Sequence, residues 1–319
     1  MAEKPDLSIV IVNWNTCAEL EACLRSIREE NAIRLETIVI DNASPDDSAE
    51  MVRREFPSVQ LIENKANLGF AKAANQGIKS SQGRYVLLLN PDSEVKPRAL
   101  SAIVRFGDQN PEVGIFGPKV LYPDGSLQYS CRGFPTVAAG FFRNTILTKY
   151  FPHNSYIFDY LMLGWDHTEP RDVDWVSGAA LVARRELLED IGMLDERFYM
   201  YCEDVDLARR AHDKNWRVTY FPGAVIVHAC GKGSSKNPNR MIIEHQKNIF
   251  RYFRKHHGRS PSTWLLVPVG LAMRASFYIA RNYRDHLRHH LRRWLKKDDL
   301  CLQDDAVENA TKGRQSIVH

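Results

Sequence analysis

Four places in the sequence carry side chains suited to chemistry. The first is Asn90-Pro91-Asp92, which ends the apolar run Tyr85-Val86-Leu87-Leu88-Leu89. A carboxylate placed there can hold a hard divalent cation, and the cation can hold a diphosphate. The same residues are also good turn and cap chemistry ahead of a helix from Val95 to Phe106. The second is Glu203-Asp204-Val205-Asp206, three acids in four residues where a helix begins. Acids in a first turn complement the helix dipole. Three of them, preceded by Phe198-Tyr199-Met200-Tyr201, exceed what capping needs. The third is His228, which closes a short apolar strand. The fourth is the set Asn13, Asp41 and Asn67, polar residues that follow apolar runs and suit a base and ribose.

The elements needed to bring these together are legible. Leu7 to Val12, Glu36 to Ile40, Val59 to Ile62 and Tyr85 to Leu89 read as strands. Between them, helical spacing recurs through Leu20, Leu24 and Ile27, after Asp46-Asp47-Ser48, and over Lys72 to Ser80. Strand and helix alternate four times, which predicts a parallel, doubly wound α/β sheet. Right-handed crossovers put the strand-end loops on one edge, so Asn13, Asp41, Asn67 and Asp92 are expected together. Leu87 to Leu89 show no polar alternation and predict a strand buried on both faces. The first strand lacks G-x-G-x-x-G, which argues against a dinucleotide-binding domain.

Further on, Gly114 to Val120 predicts a strand, and Tyr122-Pro123-Asp124-Gly125 a turn. Residues 131–172 are irregular and rich in aromatics, either a binding loop or a helical insertion packed on the sheet. Asp174 to Val182 reads as one strand around Gly178, Glu186 to Ile191 as a short helix, and Val218 to Phe221 and Ala224 to Val227 as two strands. Gly231-Lys232-Gly233-Ser234-Ser235-Lys236 is a basic loop suited to a lid over phosphates.

The chain has 319 residues, 44% hydrophobic and 26% charged, with a formal net charge of +4. The charge is uneven: from Arg251 to Lys297 the only acid is Asp285, so the remainder is net acidic. Phe277, Ala280, Tyr283, Leu287, Leu291 and Trp294, interleaved with arginines, predict a basic amphipathic helix for an anionic membrane surface. Trp264 to Ala280 approaches spanning length but contains Pro268, Gly270 and Arg274. The six cysteines show no CxxC spacing and read as reduced thiols. Met1 to Asp6 has no apolar h-region, so no signal peptide is expected.

In order, Ser8-Ile9-Val10-Ile11-Val12-Asn13-Trp14-Asn15, Ile40-Asp41-Asn42-Ala43-Ser44, Asn67-Leu68-Gly69-Phe70-Ala71, Asn90-Pro91-Asp92, Trp175-Val176-Ser177-Gly178-Ala179, Leu194-Asp195-Glu196-Arg197-Phe198, Glu203-Asp204-Val205-Asp206-Leu207 and His228 form a familiar series. The chain resembles the inverting family 2 glycosyltransferases of GT-A fold, in their rhamnosyltransferase-like branch, over residues 7 to about 250. The resemblance implies a Rossmann-like, mixed, mainly parallel sheet flanked by helices. Asp41 would accept from the base of a dTDP- or UDP-linked sugar, with Asn13, Asn67, Gly69, Asn90 and Gly178 around the donor. Asp92 and His228 would hold Mg²⁺ or Mn²⁺ on the diphosphate. Asp204 would deprotonate the acceptor hydroxyl, with Glu203 the alternative base, and Trp175 and Tyr201 would line the acceptor site. Asn90 stands where the family's Asp-x-Asp motif often has its first Asp, which removes one charge from the metal site.

These parts divide the chain into a catalytic domain over 1–258 (nucleotide half 7–110, acceptor half 111–258), basic membrane-associating helices over 259–297, and a polar end over 298–319. The implied acceptor is a lipid-linked saccharide and the implied site of action the cytoplasmic face of the cell membrane. No nucleic-acid partner is expected, and the oligomeric state is open. Two other readings compete. A sugar nucleotidyltransferase would share the sheet and the acid–metal site, but it usually carries a Gly-rich basic loop where Asn13-Trp14-Asn15 stands. An inactive membrane-attached scaffold would have no need of Asp92, Asp204 and His228.

Overall fold

The computed structural model describes residues 4–30, 32–142, 155–229, 238–258, 260–261, 263–280 and 283–284. The lid loop, most of the basic amphipathic helix and the polar end lie outside them. Two compact units divide after Leu271. The first continues past 258 because Val267 is buried in its core and Leu271 packs on that core.

The nucleotide half alternates as expected: β1 Leu7–Asn13, α1 Cys17–Arg28, β2 Leu35–Asp41, α2 Ser48–Glu55, β3 Gln60–Glu63, α3 Phe70–Ser80 and β4 Tyr85–Leu89. After it come β5 Ser93–Val95, α4 Ala99–Gln109, β6 Val113–Leu121, β7 Leu127–Gln128, β8 Cys131–Arg132, α5 Val137–Phe142, α6 Ser155–Leu161, β9 Arg171–Asp172 and β10 Trp175–Val176. The chain then forms β11 Ala180–Arg184, α7 Arg185–Ile191, α8 Glu203–His212, β12 Arg217–His228 and α9 Pro238–His257.

The main sheet runs β3-β2-β1-β4-β11-β6-β12-β5, with β7 on β6 and β9 on β12. β3, β2, β1 and β4 are parallel. β11 is inserted antiparallel between β4 and β6. Period-two alternation sends Val10, Val86 and Leu88 to one core and Ile9, Ile11, Leu87 and Leu89 to the other. The β4 run is therefore buried on both faces, which explains its lack of polar residues.

Three local expectations are corrected. The helix expected from Val95 starts at Ala99, because Ser93–Val95 pairs antiparallel with Ile226–His228 as a strand. The single strand expected over 174–182 is two: β10 pairs with β8, β11 pairs with β4, and Ala180 N–H bonds back to Ser177 O across Gly178. Conversely, the two strands expected at 218–221 and 224–227 are one, β12, with a register shift between Phe221 and Val225. Pro222 lacks the N–H a regular ladder would need there. The aromatic segment contains the short helices α5 and α6, and residues 143–154 are outside those described.

Helix α9 is tied to α8 by charge. Asp206 is 0% exposed, and its carboxylate meets Arg210 at 2.9 Å, Lys255 at 2.6 Å and His256 at 2.8 Å. Burial pushes this carboxyl up, but hydrogen bonds from His256 and Lys255 outweigh it and the net shift is downward. A depressed carboxylate stabilises the fold at neutral pH, and that contribution is lost as pH falls through its folded value. Asp206→Ala leaves Arg210, Lys255 and His256 facing an empty site, and a loss of about 3–5 kcal/mol in denaturant unfolding is expected. A change within about 0.5 kcal/mol would mean that solvent already screens the cluster.

Candidate active site

At the ends of β1 and β2, register places Asn13 directly beside Asp41. Asn13 donates both amide hydrogens, to Asp41 Oδ1 and Ser44 Oγ, each at 3.0 Å, and accepts from Thr16 Oγ1 at 2.7 Å. The Ser44 N–H donates to Asp41 Oδ2 at 3.0 Å. Asn13 is thus engaged in aiming Asp41, and Asp41 carries the lone pairs left for a ligand.

Asn67 ties this corner to the acceptor half. Its Oδ1 accepts from the Gly69 N–H at 3.0 Å, Asn42 Nδ2 at 3.2 Å and the Tyr199 hydroxyl at 3.0 Å. Gly69 has φ +83, and a Cβ there would fall 2.4 Å from Tyr199 O. Phe70 N–H donates to that same carbonyl at 2.7 Å. Gly69 therefore serves close backbone packing across the two halves.

Asp92 and His228 are far apart in the sequence and meet. β5 pairs Ser93 with His228, and the Ala229 N–H donates to Asp92 O at 2.9 Å. Asp92 Oδ1 lies 3.2 Å from His228 Nε2, both side chains 7% exposed. Asn90 Nδ2 is 3.1 Å from the same nitrogen. No cluster of three or more His, Cys, Asp or Glu occurs among the described residues. A carboxylate oxygen and an imidazole nitrogen aimed at one point nevertheless fit a divalent cation that keeps waters and takes its other ligands from phosphate.

The acid cluster sits across one step of backbone. Asn90 N–H donates to Ala179 O at 3.0 Å, while the adjacent Gly178 N–H donates to Asp204 Oδ2 at 2.9 Å. A Cβ on Gly178 would lie 3.6 Å from that oxygen. Asp204 Oδ1 also accepts from the Val205 N–H at 2.8 Å. Tyr201 and Cys202 enter α8 at φ 75 and 70, strained backbone for non-glycine residues. Buried Asn248 on α9 braces that turn by donating to Met200 O at 2.8 Å, and His245 packs edge-on to Tyr201.

The two neighbouring acids differ in environment. Glu203 is 6% exposed and its Oε2 has no partner among the described residues. Burial, then the charge of Asp204, push it well above the carboxylate range. Asp204 is half-buried. Burial raises it too, but the Gly178 and Val205 N–H groups pull it back. The pair therefore favours a neutral Glu203 beside an ionised Asp204.

Trp175 is largely buried, donates its indole N–H to Gly133 O at 2.8 Å, and carries Arg132 over its ring at 5.6 Å. Arg132 also lies over the Tyr160 ring at 6.0 Å. Sequence reading missed Arg132, Gln128 and Asn248. Only the strand pairing of β8 with β10 and of β7 with β6, and the return of α9, bring them to the site.

The family model described as "Glycosyl transferase family 2" matches residues 8–164. The N-acetylglucosaminyl-diphospho-decaprenol L-rhamnosyltransferase of Mycobacterium tuberculosis is 29% identical over 304 residues, 91% of this chain and 97% of that one. The mannosyltransferase PcManGT of Pyrobaculum calidifontis, solved with GDP-Man and Mn²⁺, superposes at a TM-score of 0.57 with 19% identity, covering 88% of this chain and 76% of that chain. S. aureus TarS 1–349 gives 0.51 at 14% identity, covering 85% and 81%. The sheet is that of the GT-A fold. The chain carries a glycosyl transferase family 2 domain over residues 8–164 and is a glycosyltransferase.

Proposed function

We propose that the chain is an inverting, metal-dependent transferase that moves rhamnose from a dTDP- or UDP-linked donor to a hydroxyl of a lipid-linked saccharide in cell-surface polysaccharide synthesis. One observation carries the reading: Gly178-Ala179 holds the Asp204 carboxylate on one N–H while its carbonyl anchors Asn90 beside Asp92 and His228. A base and a diphosphate site thus share one backbone step. The similarity to the mycobacterial rhamnosyltransferase over nearly the whole chain supports the sugar and the acceptor class, and the Mn²⁺ in the mannosyltransferase complex supports the metal.

Asp41, aimed by Asn13 and Ser44, accepts from the ring N–H that uracil and thymine share. Asp92 and His228, with Asn90 beside them, would hold Mg²⁺ or Mn²⁺ at the donor's diphosphate. When bound, the ion neutralises charge on the leaving nucleoside diphosphate. Asp204 Oδ2 takes the proton of the attacking hydroxyl, so a single displacement inverts the anomeric centre. Glu203, neutral, keeps a second negative charge away from the incoming sugar. Tyr201 and the Arg132–Trp175 pair flank the acceptor side.

The test is a panel of sugar nucleotides with Mn²⁺. Release of nucleoside diphosphate from one or a few donors, abolished by EDTA, is the expected result. Pyrophosphate release would identify a nucleotidyltransferase, and no release from any donor would leave an inert scaffold.

For the membrane, Thr263–Ala280 is long and apolar enough to cross by length and composition. Leu265, Val269, Met273 and Phe277 recur every four residues, and each is about half exposed or more. We place this stripe in the interface at the cytoplasmic face, because Arg274 and Pro268 fit a surface helix better than a span. Binding to anionic vesicles should weaken as salt rises. It should fall further in Leu265→Glu/Val269→Glu/Met273→Glu. Equal partitioning of the variant would remove the stripe from the account.

A further inference from the structure

The β6–β7 hairpin brings a residue to the proposed cation site that the reaction above does not use. Gln128 Oε1 lies 2.7 Å from His228 Nδ1, and Gln128 Nε2 points to the backbone carbonyl of the same histidine at 3.5 Å. A carbonyl oxygen only accepts, so the amide nitrogen must be the end facing it. The amide oxygen then faces Nδ1, and Nδ1 must be the protonated ring nitrogen. On the other side of the ring, His228 Nε2 faces Asn90 Nδ2 at 3.1 Å and Asp92 Oδ1 at 3.2 Å. With the proton held on Nδ1, Nε2 is the nitrogen whose lone pair a cation beside Asp92 would take.

We propose that Gln128 is a positioning residue that fixes His228 in the Nδ1–H tautomer, so that Nε2 is presented with Asp92 as a metal ligand. The inference rests on the metal reading above and extends it to a residue outside the ligand set. Partners of this kind set ring orientation and ligand basicity, and their loss typically costs about 10–100-fold in metal affinity. The hairpin makes the clamp rigid. Gln128 pairs with Val120 on β6, and the turn closes through Tyr122 N–H to Ser126 O at 2.8 Å.

Two measurements on the full chain test it. Nitrogen-15 spectra, with His228 assigned by loss of its signals in His228→Asn, should show Nδ1 carrying a proton in the wild type. A ring protonated on Nε2 alone would overturn the proposal. Mn²⁺ affinity, read by electron paramagnetic resonance with the metal alone and with UDP or dTDP, should fall about tenfold or more in Gln128→Leu. Gln128→Glu, which keeps an accepting oxygen, should recover most of it. Wild type binding Mn²⁺ and Gln128→Leu binding it equally would reject Gln128 alone. No Mn²⁺ bound by wild type under any of these conditions would reject the metal reading itself.

Discussion

Asp204→Asn is expected to lower turnover at least about a hundredfold, the low end of general-base contributions, while nucleotide binding stays near wild type. The residues proposed to hold the base and diphosphate, Asn13, Asp41, Asp92 and His228, lie outside the helix that carries Asp204. The amide keeps the side chain's shape, but its NH₂ end must face either the Gly178 or the Val205 N–H. A stability loss of about 1–3 kcal/mol is therefore expected beside the catalytic one. Turnover and nucleotide dissociation constant, measured together, separate the two effects. If Glu203→Gln gives the large loss and Asp204→Asn does not, the roles are exchanged. The pH profile carries the same assignment. Burial raises both carboxyls, so the wild-type rate should rise with pH through an apparent value above that of an ordinary carboxylate, as the pair loses the first of its two protons and Asp204 ionises.

Asp92→Ala should abolish measurable transfer and remove the benefit that Mn²⁺ gives to nucleotide binding. The displaced group leaves with a diphosphate charge, and metal neutralisation is worth several kcal/mol, on the order of a thousandfold. Asn90 contributes no charge, so His228 alone cannot replace the carboxylate. In EDTA, wild type and variant should bind nucleotide alike, because Asp41 and the Asn13 corner are intact in both. Full activity of the wild type in EDTA would sink this part of the mechanism.

The two carboxylates differ in how they could be read from the sequence. Asp92 announces itself, since a run with no polar alternation has to stop at an edge and Pro91 stops it. Asp41 and Asn13 follow from the same argument, and strand register then sets them side by side. The first four strands need only local periodicity. Beyond β4 the architecture depends on pairings that join distant segments, and local pattern no longer decides. Ser93–Val95 has the composition of a helix start, but β12 needs a partner on its outer edge. Gly178 reads as an ordinary strand glycine, yet its N–H is taken by a carboxylate 26 residues away. His228 and Asn90 are 138 residues apart, and their meeting required the order in which β11, β6, β12 and β5 join the sheet. Gln128 had no local signal, because in Leu127-Gln128 it is simply a polar strand residue. Its meaning comes only from the histidine it faces.

A single displacement assisted by Asp204 leaves its mark in the stereochemistry of one product. Purified protein would be supplied with Mn²⁺, the donor selected by the nucleotide panel, and a synthetic N-acetylglucosaminyl-diphospho-lipid acceptor. The anomeric configuration of the new glycosidic bond would then be read by proton NMR. The predicted product is a disaccharide on the lipid whose new linkage has the configuration opposite to that of the donor, with one nucleoside diphosphate released per bond. Retention of configuration, or transfer that persists at the wild-type rate in Asp204→Asn, would contradict the single displacement assisted by Asp204.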